Sequence, residues 1–210
     1  MNRRRFIWQE AQAQSGLPSS YTAVDFLQSS GAQWIDTDYK YGASSDVEIK
    51  FSAPDTDNGT DLGAQDSNDN KYKFAIVLAG GNLLWFARGG DSRNFHVSDM
   101  QKPLILRNVG NLFKVTDSAG KEQTLTVTDN GFVGSQLSIY LFARHTPTGA
   151  IQMSKSQIYY CRFYENDELV CDMRPCLDAD GVPCMYDLIR RRTLYLSLIH
   201  ISEPTRPISI

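Results

Sequence analysis

The chain has 210 residues, of which 41% are hydrophobic and 21% are charged, and its formal net charge is −3. This length suits one domain with short extensions, and the lack of a basic excess argues against a nucleic-acid-binding protein. No apolar run in the sequence approaches the roughly 18 residues that a membrane span requires. Three histidines leave few candidates for histidine catalysis or a multi-histidine metal site.

Residues 1–16 are predicted to form a flexible or weakly helical arm before the folded domain. Three arginines followed by the apolar run Phe6–Trp8 are similar to the start of a secretory signal. The run is too short for one, because the apolar core of a signal needs about seven residues or more. The alternative is an arm that becomes ordered on a binding partner.

Apolar and polar residues alternate through the middle of the chain, as expected for strands with one buried face. In the segment Asp46–Phe51, for example, Val47, Ile49 and Phe51 share one face. The same pattern, rich in β-branched and aromatic residues, predicts strands at residues 46–51, 71–78, 83–87, 104–109, 112–116, 123–128, 138–143, 157–164 and 168–173.

Clusters of glycine, asparagine and aspartate separate these strands, and such residues tolerate the positive φ of tight turns. Many short strands at about ten-residue spacing indicate an all-β fold, either a sandwich or a barrel. A single helical turn is predicted near Val24–Leu27. Tyr159, Cys161 and Phe163 are predicted to share one strand face, and Pro175 is predicted to end the strand that follows.

Both ends of the predicted sandwich carry long motifs. Leu17–Thr37 reads LPSSYTAVDFLQSSGAQWIDT, Ile158–Val170 reads IYYCRFYENDELV, and Arg174–Asp187 reads RPCLDADGVPCMYD. These segments resemble the beginning and end of a concanavalin A-like lectin/glucanase family, a laminin-G-like (LamG) jelly roll of gut-bacterial phage, prophage and surface proteins. The chain departs from that family's pattern at Ser20 and Asp38, where glycine is usual. The matching segments bracket residues 17–195, and the resemblance implies that these residues form one antiparallel jelly-roll β-sandwich that serves as a recognition or structural module.

The last residues differ in character from the rest of the chain. Residues 196–206 read LSLIHISEPTR, which is similar to one reading frame of a transposase sequencing adapter. Residues 196–210 are therefore interpreted as an artefactual tail at the end of a metagenomic fragment, and His200 carries no functional meaning.

An oxygen-rich segment, Asp55–Asp61, suggests a calcium site, because hard cations prefer carboxylate and carbonyl oxygens. Its spacing misses an EF-hand-type loop by one residue, since Gly59 occupies position five instead of six. The candidate ligands are Asp55, Asp57 and Asp61. The alternative, a solvated loop between two strands without any cofactor, is favoured.

All four cysteines fall within 24 residues near the end of the predicted sandwich: Cys161, Cys171, Cys176 and Cys184. No Cys-x-x-Cys pair is present, which disfavours a zinc knuckle. A disulfide such as Cys176–Cys184 is compatible with the even count. Buried free thiols that behave as small apolar side chains are the default expectation.

One predicted hairpin combines a tryptophan with charged residues, and this combination is suited to sugar recognition. The candidate ligand-binding residues are Trp85, Arg88, Asp91, Arg93 and His96. An aromatic ring can stack on a sugar while polar neighbours hold its hydroxyls. The alternative is that Trp85 belongs to the core and the others form a solvated turn.

Catalysis lacks support in the sequence. A glycan hydrolase of this kind needs two carboxylates flanking the scissile bond, usually on a Glu-x-Asp-x-x-Glu strand, and the sequence has no such strand. The isolated histidines have no serine or cysteine motif to activate.

The leading hypothesis is a non-catalytic module on a virion or bacterial cell surface that binds glycans or surface polymers, with affinity raised by multivalency. The alternative is an architectural tail or capsid domain that binds only protein, such as neighbouring virion proteins. A glycan-cleaving enzyme is the third hypothesis. A homo-oligomer is compatible with each of them.

Overall fold

The computed structural model describes residues 16–53, 58–67, 69–80, 82–128 and 131–198. Within them the chain forms one short 3₁₀ helix, Asn70–Tyr72, and nineteen strands. In chain order these are β1 (Thr22–Ala23), β2 (Leu27–Gln28), β3 (Gln33–Gly42), β4 (Ser45–Ser52), β5 (Thr60–Gln65), β6 (Lys73–Leu78), β7 (Leu83–Arg88), β8 (Asp91–His96), β9 (Leu104–Val109), β10 (Leu112–Thr116), β11 (Glu122–Thr126), β12 (Gly134–Leu141), β13 (Arg144–Thr146), β14 (Gly149–Ile151), β15 (Gln157–Glu165), β16 (Glu168–Leu177), β17 (Pro183–Asp187), β18 (Arg192–Tyr195) and β19 (Ser197–Leu198).

The strands form two sheets that face each other. One has ten strands in the order β11-β10-β9-β4-β15-β16-β17-β18, with β1 paired to β16 and β2 paired to β15. The other has nine strands in the order β19-β3-β12-β5-β6-β7-β8, with the short β13 and β14 beside β5. Every pairing is antiparallel except that of β13 with β5. The alternation predicts an all-β sandwich or barrel, and the structure is the antiparallel jelly-roll β-sandwich that the resemblance of the end motifs implies.

The core lies between the sheets and is built from the inward face of each strand. On β4, Val47, Ile49 and Phe51 are fully buried, as their period-two spacing requires. The ring of Phe86 on one sheet stacks on Phe113 of the other, with 4.3 Å between centroids. Burying one such side chain contributes about 2 to 3 kcal/mol, so these contacts hold the sheets together.

A polar contact also crosses the core. The hydroxyl of Tyr41 on β3 donates a hydrogen bond to the side-chain oxygen of Asn108 on β9, and both residues are fully buried. The amide of Asn108 donates to the carbonyl oxygen of Gly110 at 2.7 Å. Because a buried polar group is costly unless bonded, this pair fixes how the two sheets align.

At one side of the sandwich, the edge strands of the two sheets are joined by side chains. β8 is the edge of the nine-stranded sheet and β11 is the edge of the ten-stranded sheet. The Gln123 side-chain amide donates to the carbonyl oxygen of His96 at 3.0 Å, and the Thr128 backbone N–H donates to the Asp91 carboxylate at 2.6 Å. These bonds close the seam between β8 and β11.

Three local predictions are corrected by the structure. A β-bulge between Ile158 and Tyr160 shifts the register of β15 against β4. Ile158 is therefore buried with Cys161 and Phe163, whereas Tyr159 is only half-buried. No helical turn forms at 24–27.

Pro175 does not end a strand: it lies within β16, opposite Met185. At that position β16 changes partners, from β15 at Met173 to β1 at Cys176. The missing proline N–H therefore leaves no ladder partner unbonded.

The parts of the predicted arm and tail at residues 1–15 and 199–210 lie outside the described residues. Ser197 and Leu198, which belong to the predicted tail at 196–210, pair with Trp34 and Gln33 at the edge of the nine-stranded sheet. Within the described residues, no helix has the length and apolar character that a membrane span needs.

Candidate functional site

The indole of Trp85 is exposed on the outer face of the nine-stranded sheet. Its neighbours on β7, Leu84 and Phe86, are buried in the core. Because successive side chains on a strand point to opposite faces, Trp85 points outward, and 40% of it is exposed. Trp85 is therefore a surface residue that is available to a ligand.

The other predicted binding residues are divided between the two faces of the β7–β8 hairpin. His96 is exposed and lies on the outer face with Trp85, since it pairs with Leu83. Asp91 and Arg93 pair with Arg88 and Phe86, which places them on the inner side, at the seam. The hairpin therefore does not bring the five predicted residues together in one site.

Arg88 lies in the interior, where it has a structural role. It is only 5% exposed, and its guanidinium donates to the side chain of Asn111 and, at 2.7 Å, to the carbonyl oxygen of Ala43. The same guanidinium lies 4.5 Å from the ring centroid of Phe132. These contacts occupy Arg88 within the fold.

Asp91 and Arg93 are also engaged with the protein itself. An Arg93 nitrogen lies 2.7 Å from the Asp91 carboxylate. The backbone N–H of Thr128, which donates to that carboxylate, is the largest cause of a lowered pKa for Asp91. The carboxylate is thus used in closing the seam.

A groove of about 330 Å³ runs beside the indole, and we call it the Trp85 groove. β6 contributes Lys73 and Val77 to its wall, and the segment between β13 and β15 contributes Gln152. The complete lining is Asn58, Lys73, Val77, Leu78, Ala79, Trp85, Arg144 and Gln152. An aromatic ring, two cations and two side-chain amides therefore surround one open groove.

A second groove, of about 450 Å³, lies on the other side of Arg144. Its lining mixes polar and apolar residues: Gln65, Ser67, Arg144, Thr146, Pro147, Thr148 and Ile151. Arg144 lines both grooves, so a ligand longer than one sugar ring could contact it from either side.

In the part of the chain that the structure describes, the lining of the Trp85 groove holds two cations and no carboxylate. Among the described residues, no carboxylate lies within 4 Å of Lys73 or Arg144. Burial, and then the charge of Arg144, lowers the pKa of Lys73, and burial lowers the pKa of Arg144. The Nε of Arg144 is buried without a hydrogen-bond acceptor. The groove thus offers donors to which the described residues supply no anion.

An aromatic row includes His145, the neighbour of Arg144 on β13. Tyr140 of β12 stacks on His145, with 3.8 Å between ring centroids, and on Trp34 at 6.0 Å. The Nδ1 of His145 lies 2.9 Å from the carbonyl oxygen of Ser138, which can only accept. Nδ1 therefore carries a hydrogen and cannot serve as a base toward the Ser138 hydroxyl, 3.4 Å away.

Of the three predicted calcium ligands, Asp55 and Asp57 lie outside the described residues. Asp61 is the bulged residue of β5 and is fully buried. Its carboxyl accepts a hydrogen bond from the Ser156 hydroxyl, and its second oxygen and the Ser154 hydroxyl have no partner among the described residues. Burial raises the pKa of Asp61 to about 7. Across the described part of the chain, no three His, Cys, Asp or Glu side chains cluster as a metal site requires, and calcium binding stays a prediction.

A third groove, of about 590 Å³, lies on the outer face of the ten-stranded sheet. Its lining is Asp25, Phe26, Lys50, Tyr159, Tyr160 and Arg174. Here Arg174 is held by Asp172 at 2.8 Å, so its charge is compensated. Phe26 is 37% exposed, which makes it a natural counterpart to Trp85 on the opposite sheet.

The sequence reasoning missed Lys73, Arg144 and Gln152. Lys73 falls within a predicted strand, and no sequence pattern around it indicates a binding residue. Arg144 reaches the groove because β13 pairs with the distant β5, Arg144 lying opposite Gly63. A contact between segments about 80 residues apart has no signature in local alternation.

Comparison with known proteins gives a likeness of fold. No protein-family profile matches the chain, and no curated protein matches it. Among solved structures, the CBM40 of Ruminococcus gnavus IT-sialidase bound to α2,3 sialyllactose has a TM-score of 0.47 and 8% identity, over 71% of this chain and 91% of that chain. Mouse laminin α1 chain domains LG4-5 give 0.49 and 12%, over 87% and 49%. A heptameric SAP-like pentraxin from Limulus polyphemus gives 0.45 and 9%, over 70% and 75%.

Proposed function

We propose that this chain is a non-catalytic binding module that holds an acidic glycan in the Trp85 groove. The observation that carries the proposal is an exposed indole beside two cations without a carboxylate partner among the described residues. A sugar ring packs its C–H face on an indole, and a carboxylate or sulfate on the sugar accepts hydrogen bonds from lysine or arginine. Lys73 and Arg144 are placed to donate them.

The lining of the grooves favours binding over cleavage. Glycoside hydrolysis uses two carboxyl groups, about 5 to 9.5 Å apart, on either side of the scissile bond. Among the described residues, neither the Trp85 groove nor its neighbour across Arg144 is lined by aspartate or glutamate. A glycan in these grooves would therefore be held without being cut.

We place the module on a virion or on a bacterial cell surface. The support for this setting is the resemblance of the motifs at Leu17–Thr37 and Ile158–Val170 to phage, prophage and surface proteins of gut bacteria. Repetition of the module in a homo-oligomer would raise the avidity of a shallow groove for a repeating polymer by the effective concentration of linked sites.

A specific observation favours a second candidate, the architectural domain that binds only protein. Val109 and Leu112 pair directly across β9 and β10, and 42% and 45% of them are exposed. Two adjacent apolar side chains on an outer face suit a protein contact. The area is small, so the glycan proposal is preferred.

The first test is a glycan array probed with the full chain multimerised on streptavidin. We expect sialylated, uronic-acid-containing or sulfated oligosaccharides to bind in preference to their neutral counterparts. Because two charged side chains carry the contact, binding should weaken when salt is raised from 0.15 to about 0.5 M. Binding of neutral glycans alone, or of none, contradicts the proposal, and the second result favours the architectural candidate.

Variants locate the site. Trp85→Ala and Arg144→Gln should each weaken binding about tenfold or more, since a charge-assisted hydrogen bond contributes about 1.5 to 3 kcal/mol. Phe26→Ala is the matched control for the exposed aromatic, and Arg93→Gln is the control for charge. If Trp85→Ala bound glycan as well as the wild type, or if Arg93→Gln lost glycan binding, the site would have to be assigned to the hairpin edge instead of the Trp85 groove.

A further inference from the structure

Two of the four cysteines are direct neighbours across a pair of strands. Cys176 on β16 lies opposite Cys184 on β17, and their sulfurs are 3.5 Å apart. Residues directly opposite in an antiparallel pair have Cα atoms about 4.5 or 5.5 Å apart. Both values fall within the roughly 4.4 to 6.8 Å that a disulfide spans. The backbone is therefore already placed for a bond.

The other two cysteines lack this arrangement. Cys161 lies opposite Met173, and Cys171 lies opposite Phe163, so the two thiols are diagonal neighbours on β15 and β16. Diagonal positions are about 7 to 8 Å apart, which is too far for a disulfide. The Cys171 sulfur instead accepts a hydrogen bond from Arg190 at 3.0 Å.

We infer that Cys176 and Cys184 form a disulfide when the protein folds in an oxidising environment, and that Cys161 and Cys171 remain thiols. The bond would fasten the β16–β17 hairpin around the turn at 178–181. The inference is independent of the proposed glycan binding.

The chemistry requires a small disulfide, such as oxidised glutathione, as oxidant. The Cys184 thiolate attacks one sulfur of the oxidant, forms a mixed disulfide and releases one thiolate. The Cys176 thiolate then attacks the Cys184 sulfur and releases the second thiolate. The two protons of the cysteine thiols pass to the two released thiolates, so each bond formed replaces one broken.

Burial determines when this exchange occurs. Both thiols are fully buried, in a small cluster with Leu17 and Tyr186 that packs against Tyr21. An oxidant reaches the two thiols before the surrounding residues cover the hairpin, so the disulfide forms during folding. The folded, reduced protein should react slowly.

The test is refolding of the reduced, denatured full chain with and without a mixture of oxidised and reduced glutathione. Free thiols are then alkylated in denaturant and mapped by mass spectrometry. We expect a mass lower by about 2 Da, alkylation of Cys161 and Cys171, and one cross-linked peptide pair. The melting temperature should rise by roughly 5 °C and fall back on adding reductant.

Alkylation of all four cysteines after oxidative refolding would overturn the inference, as would a cross-link that includes Cys161 or Cys171. The double variant Cys176→Ala/Cys184→Ala should show no reductant-dependent change in melting temperature. If that variant fails to fold, the thiol map of the wild-type chain decides alone.

Discussion

Replacing Asp61 with asparagine should change how the stability of the protein depends on pH. The Asp61 carboxyl is fully buried beside the hydroxyls of Ser154 and Ser156, and burial raises its pKa from 3.8 to about 7. The folded chain then keeps a proton that the unfolded chain loses above about pH 4. Stability should therefore fall as the pH rises from 4 to 7 and level off above 7.

The size of this effect follows from the two pKa values. A difference of about three pH units corresponds to about 4 kcal/mol of unfolding free energy between pH 4 and pH 8. Asparagine keeps an acceptor for Ser156 and gains an amide donor that faces Ser154. Asp61→Asn should thus match the wild type at pH 4 and exceed it by up to about 4 kcal/mol at pH 8.

Urea unfolding followed by fluorescence at pH 4, 5, 6, 7 and 8 measures the effect. The carboxyls of Asp38, Asp69, Asp91 and Asp178 interfere little with this measurement, because hydrogen bonds lower their pKa values and so move their contribution below about pH 4. Asp180→Asn, in an exposed turn, is the matched control. The same slope in Asp61→Asn and wild type, or lower stability of the variant at pH 8, would refute the reasoning.

Three substitutions separate structural from binding residues. Gly134→Ala should cost about 2 kcal/mol or more, because a Cβ there would lie 2.6 Å from the Tyr41 carbonyl oxygen at a φ of +93°; a urea midpoint equal to wild type would contradict this. Arg88→Met should cost about 2 to 3 kcal/mol by leaving the Ala43 carbonyl oxygen unbonded, yet the folded protein should bind glycan normally. Arg144→Gln should instead keep its stability and bind glycan more weakly. Calorimetry measures the binding of both variants, and urea unfolding measures their stability. Weaker binding by Arg88→Met, or lower stability of Arg144→Gln, would contradict these two roles.

The fold was accessible from the sequence where its determinants are local. Alternation at Asp46–Phe51 and Leu104–Val109 predicts strands that the structure contains in β4 and β9. In each such strand, every second residue is apolar and forms the buried face. β5 was missed because it has few apolar residues, among them Leu62 and Ala64, and because it is covered on both faces by distant segments.

The errors within predicted strands have the same physical origin. A bulge in β15 adds one residue to the count, which moves Tyr159 off the face of Cys161. Pro175 is accepted inside β16 because of which strands lie beside it. In both cases the cause lies in the neighbouring strands, β4 for the bulge and β15 and β1 for Pro175. The sequence around Tyr159 or Pro175 does not identify those strands.

The candidate site was predictable only in part. Trp85 was found from its residue type and hairpin context, but the same reasoning placed the interior residue Arg88 beside it. On a strand, residues an odd number apart face opposite ways, and a list of chemically suitable neighbours does not respect that rule. The cations of the groove come from β6 and β13, which are joined only through β5.

The side-chain bonds between β8 and β11 bear on how copies of this protein can be packed together. An uncovered edge strand invites a second sheet to continue the ladder, which leads to aggregation. Here Asp91 and Gln123 tie each sheet's border to the other, and Arg93 adds an exposed charge beside them. Many copies can therefore lie close together on one surface without pairing into fibres through these edge strands.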